Sequence, residues 1–225
     1  MTTRFENRED AGRRLAGALA DYRGLENALV LGLPRGGVPV AAEVAAALQL
    51  PLDVLCVRKL GVPFQRELAM GAIASGGAVV RNEEVLAGWP AATAAFERVL
   101  AQELGELARR ERAYRGSAPP LKLQGRTVII VDDGLATGAT MEAAVRALRS
   151  LQASRIVVAV PVASPEAHAR IAAVADEVVT LATPQGFSAV GEWYRDFDQT
   201  SDAEVTRLLA LFATRHPAGP AAPPL

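Results

Sequence analysis

Apolar and polar positions along the chain follow two alternating rhythms. Short, nearly unbroken apolar runs of the kind buried strands show stand at 28–33, 53–57, 127–131, 155–160 and 177–181. Between them, apolar residues recur every three or four positions, which predicts helices at 7–21, 38–48, 93–114, 140–151, 165–174 and 202–214. Two shorter strands are expected at 69–74 and 78–81, divided by the turn-prone Ser75-Gly76-Gly77. Pro34, Pro51, Gly116 and Pro119-Pro120 punctuate the series where an element should stop. Strands separated by helices imply right-handed crossovers, hence an α/β fold with a mostly parallel sheet flanked by helices. Ligands of such sheets bind beyond the carboxyl ends of the strands, so chemistry is expected in the loops that follow strands.

Composition narrows this picture. Half of the 225 residues are hydrophobic, enough for a sizeable core and too many for a largely disordered chain. One domain over residues 1–215 is expected, with the Pro/Ala-rich stretch 216–225 as a disordered tail. Twenty-four basic residues against 25 acidic ones leave a formal charge of -1, which argues against a nucleic-acid or anionic-membrane binder. Only two of the basic residues are lysines, Lys59 and Lys122. A single cysteine, Cys56, excludes an internal disulfide or a Cys-based metal cluster, and its place in a strand suits a small core residue. His168 and His216 form no metal-binding pair and are expected to face solvent; the RRERAYR run at 109–115 is expected to be a solvated helix face. The charged N-terminus and the lack of an apolar run of about 20 residues give the expectation of a soluble, cytoplasmic protein.

The most informative stretch follows the apolar run at 127–131. It reads Asp132-Asp133-Gly134-Leu135-Ala136-Thr137-Gly138-Ala139-Thr140 and opens directly onto a helix. Two carboxylates at a strand end are followed by a small-residue loop whose N–H groups, together with the helix dipole, favour a phosphate. Acids beside a phosphate cradle need another part of the same ligand to serve, and vicinal hydroxyls or a divalent cation fit. A sugar phosphate meets both demands. A turn with a helix cap would use similar residue types. A Walker A loop fits poorly, because Ala139 stands where its lysine should be, and no Gly-x-Gly-x-x-Gly follows the first strand.

Residues 128–140 resemble the signature of the type I phosphoribosyltransferases, an apolar strand, two acids and a short loop ending Thr-Gly-x-Thr. The resemblance implies that Asp132 and Asp133 hold the ribose hydroxyls of phosphoribosyl pyrophosphate (PRPP). It also implies that Ala136, Thr137, Gly138, Ala139 and Thr140 wrap the 5′-phosphate. Mg2+ is the implied cofactor, held directly or indirectly by Asp132 and Asp133. A place in nucleotide metabolism, such as purine salvage, follows from the same resemblance, as does a homodimer.

Two further loops carry cations or glycines. Arg35-Gly36-Gly37 follows the first strand and resembles the family's pyrophosphate loop; Gly36 and Gly37 are expected to supply a backbone geometry closed to other residues. Arg58-Lys59 is similar to the Arg-Lys that adenine-type members set against pyrophosphate, and 64–67 resembles the loop that closes over the reaction. Within it Glu67 is a candidate general acid or base. A tight turn and a solvated basic turn are the structural alternatives for these two loops. The segment 183–200 matches the position of the hood that covers the acceptor base. There Phe187, Trp193 and Tyr194 are candidates to stack on a planar heterocycle and Asp196 to read a donor; a packing cluster is the alternative. Ala136 stands where 6-oxopurine enzymes carry an Asp, which weakens a hypoxanthine or guanine assignment. The helix at 93–114 is longer than the family's usual insertion. The resemblance runs from Phe5 to the last helix and is greatest to uncharacterised members, so it supplies no acceptor. The expected activity is transfer of ribose-5-phosphate to a nucleobase-like acceptor with release of pyrophosphate. A non-catalytic PRPP-binding regulator is the alternative.

Overall fold

The computed structural model describes residues 4–88, 91–116 and 118–213, with the side chains of Arg66 and Glu67 excepted. The chain opens with helix α1 (Arg8–Ala18), whose first turn is capped by the Asn7 side chain accepting from the Asp10 N–H. Strand β1 (Ala28–Gly32) leads into α2 (Gly37–Leu48) and β2 (Leu52–Val54). An antiparallel unit follows, made of β3 (Val57–Val62), β4 (Gln65–Ala74) and β5 (Ala78–Arg81). The short α3 (Glu83–Leu86) and the long α4 (Ala92–Arg115) precede β6 (Thr127–Val131), α5 (Ala139–Ser150), β7 (Arg155–Val162), α6 (Pro165–Ala172), β8 (Glu177–Ala182) and α7 (Asp202–Ala213).

The five parallel strands run in the order β2-β1-β6-β7-β8. Period-2 alternation sends their side chains to two cores. Leu29, Leu31, Val128, Ile130, Ile156 and Val158 meet Leu148 and other residues of α5 on one face. Val30, Ile129, Val131 and Val157 meet Leu15 of α1 and Val44 and Leu48 of α2 on the other. Successive connections leave the β1–β6 pair in opposite directions, β1 to β2 on one side and β6 to β7 on the other. That is the switch point at which a crevice opens beyond the strand ends. Gly32 lies opposite Val131, and the Leu33 N–H donates to the Val131 carbonyl at 2.9 Å. The loops after β1 and β6 are therefore side by side.

The expected parallel architecture is present, but the region after β2 differs from its expected form. The apolar run at 53–57 is divided between β2 and β3, and Arg58 and Lys59 lie inside β3 instead of at a strand's end. Leu60 and Val62 keep up the alternation past the two cations and are buried with Phe96 and Leu107 of α4, so the strand continues. Phe64 belongs to the two-residue turn between β3 and β4, and Glu67 to β4, where a longer closing loop was expected. The extra length of α4 roofs this antiparallel unit. Its last residue, Arg115, grips Asp53 with two hydrogen bonds of 2.9 and 3.0 Å, and the helix stops at Gly116, whose φ is +54°. No helix among the described residues is long and apolar enough to cross a membrane. The expected tail at 216–225 lies outside the described residues.

Candidate active site

The neighbouring loops after β1 and β6 touch through their smallest residues. A Cβ at Gly36 would overlap the Asp133 carboxylate, and one at Gly37 would come within 2.6 Å of the Val131 carbonyl oxygen. Gly36 has φ −61°, so the glycines serve close approach here and not an unusual backbone angle. The Pro34–Arg35 peptide bond is cis.

Asp132 and Asp133 project into the space so formed. Asp132 Oδ1 accepts from the Asp133 N–H at 2.9 Å. Asp133 Oδ2 accepts from Arg8 Nε at 2.8 Å, and both side chains are largely buried, at 12% and 15% exposure. Burial pushes the Asp132 carboxyl well above the usual range, and the adjacent Asp133 charge adds to the effect. Burial also raises Asp133, but the Arg8 guanidinium pulls it back toward the ionised form. The pair is thus an electrostatically costly arrangement, one acid with a cation and one without.

The phosphate-type loop is tied down from beneath and open above. The Leu135 N–H donates to the Val162 carbonyl, the Ser164 N–H to the Leu135 carbonyl, and Ser164 Oγ to the Ala136 carbonyl at 2.8 Å. Ala136, Thr137 and Thr140 are exposed, while Ala139 is half-buried. Gly138 precedes α5 with φ +72°, a left-handed conformation, and Thr137 Oγ1 accepts from the Ala139 N–H at a long 3.4 Å. That bond is weak, and the following N–H groups of the first turn, which have no i→i−4 partner, remain available to an anion.

The basic candidates divide. Arg35 Nη1 lies 3.8 Å from Asp202 Oδ1 at the start of α7. Arg58 is held by Glu103 of α4 at 2.6 Å, on the strand face that carries Leu60, so it is committed to packing against the roof helix. Lys59 occupies the opposite face of β3, shared with Val57, which packs against the core under α5. The Glu67 side chain lies outside the described residues.

The segment 183–200 folds back over this region. Phe5 and Tyr194 form a parallel bridge, and the Phe5 N–H donates to the Trp193 carbonyl at 2.8 Å. Trp193 and Tyr194 are buried with Phe5, Ala11 and Val162, and Phe187 packs against the same cluster. Their rings fill a core, which departs from the expectation that they stack on an acceptor. Trp193 Nε1 has no hydrogen-bond partner among the described residues. Tyr194 donates its hydroxyl to the Asp133 carbonyl at 2.6 Å. Phe197 stacks on Tyr194 at 4.9 Å and carries the Arg8 guanidinium 3.9 Å from its ring centre. Asp196 is exposed and accepts from the Asp198 N–H at 3.2 Å. A polar cavity of about 210 Å³ opens beside Arg8, bounded by Asn7, Pro39, Asp196, Asp198 and Glu204. Sequence reasoning missed Arg8 altogether, because a lone arginine in a charged first turn carries no local mark of a partner 125 positions away.

The chain also matches known proteins. A family model described as a phosphoribosyl transferase domain matches residues 2–195. The chain belongs to the phosphoribosyl transferase domain family. Proteins of two Mycobacterium tuberculosis strains, both provisionally named phosphoribosyl transferases, are 53% identical over 205 residues, which is 91% of this chain. The chain spans 46% of the length of these relatives. The crystal structure of TT1426 from Thermus thermophilus is 47% identical and superposes with a TM-score of 0.85, covering 93% of this chain and 99% of that one.

The family implies a divalent cation, and the donor set bears on whether one fits. Among the described residues no group of three or more His, Cys, Asp or Glu side chains could hold a metal ion. Two adjacent carboxylates do suit Mg2+, which is ordinarily bound by one or two carboxylates together with waters and phosphate oxygens. Asp132 and Asp133 thus fit a cation shared with a phosphorylated ligand and not a cage made by the protein alone.

Proposed function

We propose that this domain transfers ribose-5-phosphate from PRPP to a nucleobase-like acceptor and releases pyrophosphate. The observation that carries the reading is the junction of β1 and β6: a buried acid pair packed against a Gly-Gly loop on one side and followed on the other by a helix N-terminus held only by a long bond from the Ala139 N–H to Thr137 Oγ1. The 5′-phosphate lies on the N–H groups and hydroxyls of residues 136–140, from which no carboxylate among the described residues accepts, and takes over the long Ala139 N–H to Thr137 Oγ1 bond. The ribose hydroxyls donate to Asp132 and Asp133. The pyrophosphate meets Arg35, the Gly36 and Gly37 backbone, and Lys59. Mg2+, when bound, neutralises charge on the departing pyrophosphate.

Departure of pyrophosphate leaves positive character on the ribose, as in other glycosyl transfers with oxocarbenium-like states. Asp132 and Asp133, held close by and poorly hydrated, supply the opposing field. The acceptor approaches from the side of the hood, where the lining offers polar groups from Asn7, Asp196 and Asp198 while the Trp193 and Tyr194 rings are turned into the core.

The test is incubation with PRPP, Mg2+ and a panel of heterocyclic acceptors, following pyrophosphate. Release that depends on one acceptor, and that falls at least tenfold in Lys59→Ala, supports transfer. Tight PRPP binding with no release from any acceptor would favour the regulatory alternative.

A further inference from the structure

Arg8 gathers contacts from two parts of the chain that the donor-site assignment treats separately. Its Nε donates to Asp133 Oδ2 at 2.8 Å and its Nη1 to the Asp198 carbonyl at 2.7 Å. Its guanidinium lies 3.9 Å from the centre of the Phe197 ring. On the pyrophosphate-loop side, a Cβ at Gly36 would stand 3.2 Å from Arg8 Nε, so the side chain is wedged between that loop and the acid pair. A second link runs parallel to the first, from the Tyr194 hydroxyl to the Asp133 carbonyl at 2.6 Å. Asp133 is therefore gripped at its side chain and at its backbone by contacts that both lead into residues 194–198.

A guanidinium is a rigid planar fork, so one arm cannot follow a moving carboxylate without shifting the other. The contact at Phe197 adds a face that must move with it. An ionised carboxylate has lone pairs to spare after accepting one N–H, which leaves positions for a ribose hydroxyl without displacing Arg8.

We propose that Arg8 is a positioning residue that fixes the Asp133 carboxylate for the donor ribose and carries donor occupancy to the hood. This rests on the donor-site assignment above. Because coupling is reciprocal, a hood that closes on an acceptor also tightens the grip on the donor.

The experiment uses the full chain in a Trp89→Phe background, which leaves Trp193 as the only tryptophan, since the sequence has two. PRPP with Mg2+ is titrated by calorimetry and by Trp193 emission. The unsubstituted Arg8 protein should bind and shift its emission. Arg8→Gln should lose about tenfold to a hundredfold in affinity, as expected for a charge-assisted bond, and should show no emission shift even when saturated. Arg8→Lys keeps the charge without the fork, so it should recover part of the affinity and none of the shift. Arg13→Gln, on an exposed part of the same helix, serves as the control and should match the parent. Binding by Arg8→Gln as tight as the parent or tighter, or a full emission shift in its saturated form, overturns the proposal.

Hydrogen exchange of the ligand-free protein separates this proposal from the functional assignment. In Arg8→Gln the amides of 132–138 and 193–198 should lose protection together. Loss in one segment alone overturns the coupling. Failure of the parent to bind PRPP overturns the donor-site assignment, and the donor-positioning role with it, while joint loss of protection would still establish the link between loop and hood.

Discussion

Replacing Asp132 by Asn exchanges a buried charge for a neutral group of the same shape. Asp132 makes no ion pair among the described residues, its neighbour Asp133 having taken Arg8. Its Oδ1 accepts from the Asp133 N–H, and an Asn carbonyl can do the same. Because burial and the Asp133 charge raise the folded-state pKa of Asp132, the folded protein binds its proton more readily than the unfolded chain. Stability from this group is then complete below the ordinary Asp value of about 3.9 and is lost as pH rises through the raised folded value. At pH 8 the acid opposes folding, either by carrying its buried charge or by holding a proton that the unfolded chain releases, at a cost on the order of 1–3 kcal/mol. Asp132→Asn should recover that amount, raising the melting temperature by about 2–12 °C for a chain of this size. The same change should weaken PRPP binding, because a charged acceptor for the ribose is gone. Thermal melts of both proteins at several pH values, read with PRPP titrations at pH 8, make the comparison. A gain that does not shrink between pH 8 and pH 4, or a lower melting temperature at pH 8, would refute the electrostatic account of the acid pair.

Other expectations follow from single contacts. Gly36→Ala should reduce PRPP affinity at least tenfold by driving a methyl group into the Asp133 carboxylate, whereas Gly17→Ala, in open space within α1, should stabilise by about 0.5–1 kcal/mol. Calorimetric titration and melting curves distinguish the two. Arg115→Gln should cost about 3 kcal/mol in a denaturant melt, since it strands Asp53 and removes a donor to the Pro119 carbonyl; a loss under 1 kcal/mol would mean that this pair is solvated. Burial pushes the Cys56 thiol up to about 11, so at pH 8 it should react with a disulfide reagent only as fast as the protein opens. Labelling as fast as that of an exposed free thiol would contradict that.

What the sequence discloses depends on the distance over which its meaning is set. The acid pair and the loop before α5 are legible because their chemistry is written in thirteen consecutive residues, 128–140, that fold as one strand-loop-helix unit. The alternation of apolar runs with helical periods likewise displays the parallel sheet. Arg58 and Lys59 mislead because two charges resemble a strand's end, while the burial of Leu60 and Val62 under α4 carries β3 onward. Trp193 and Tyr194 mislead for a related reason. An aromatic concentration is as useful to a core as to a ligand, and only the pairing of Phe5 with Tyr194 decides the matter. The glycines after β1 are legible as a tight place but not for their cause, which lies about a hundred residues away in Asp132 and Asp133.

Charge placement separates the cations that a ligand can recruit from those it cannot. Arg58, Arg115, Arg149 and Arg155 are each within 3.0 Å of an acid of the scaffold, so a near-neutral chain spends much of its arginine on holding elements together. Arg35 differs. Its acid, Asp202, is 3.8 Å away, and both side chains are substantially exposed, a pairing worth at most about 1 kcal/mol. A phosphate can displace that contact at little cost, so Arg35 can turn to an incoming pyrophosphate. Arg8 cannot be exchanged in the same way, because its carboxylate is largely buried and a charge-assisted bond of that kind is worth about 1.5–3 kcal/mol. Under the proposed assignment, one arginine is therefore suited to meeting the leaving group and the other to holding the acid pair that would face the ribose. If the proposed donor placement holds, substitutions at Arg35 should act on the reaction rate while those at Arg8 act first on donor affinity.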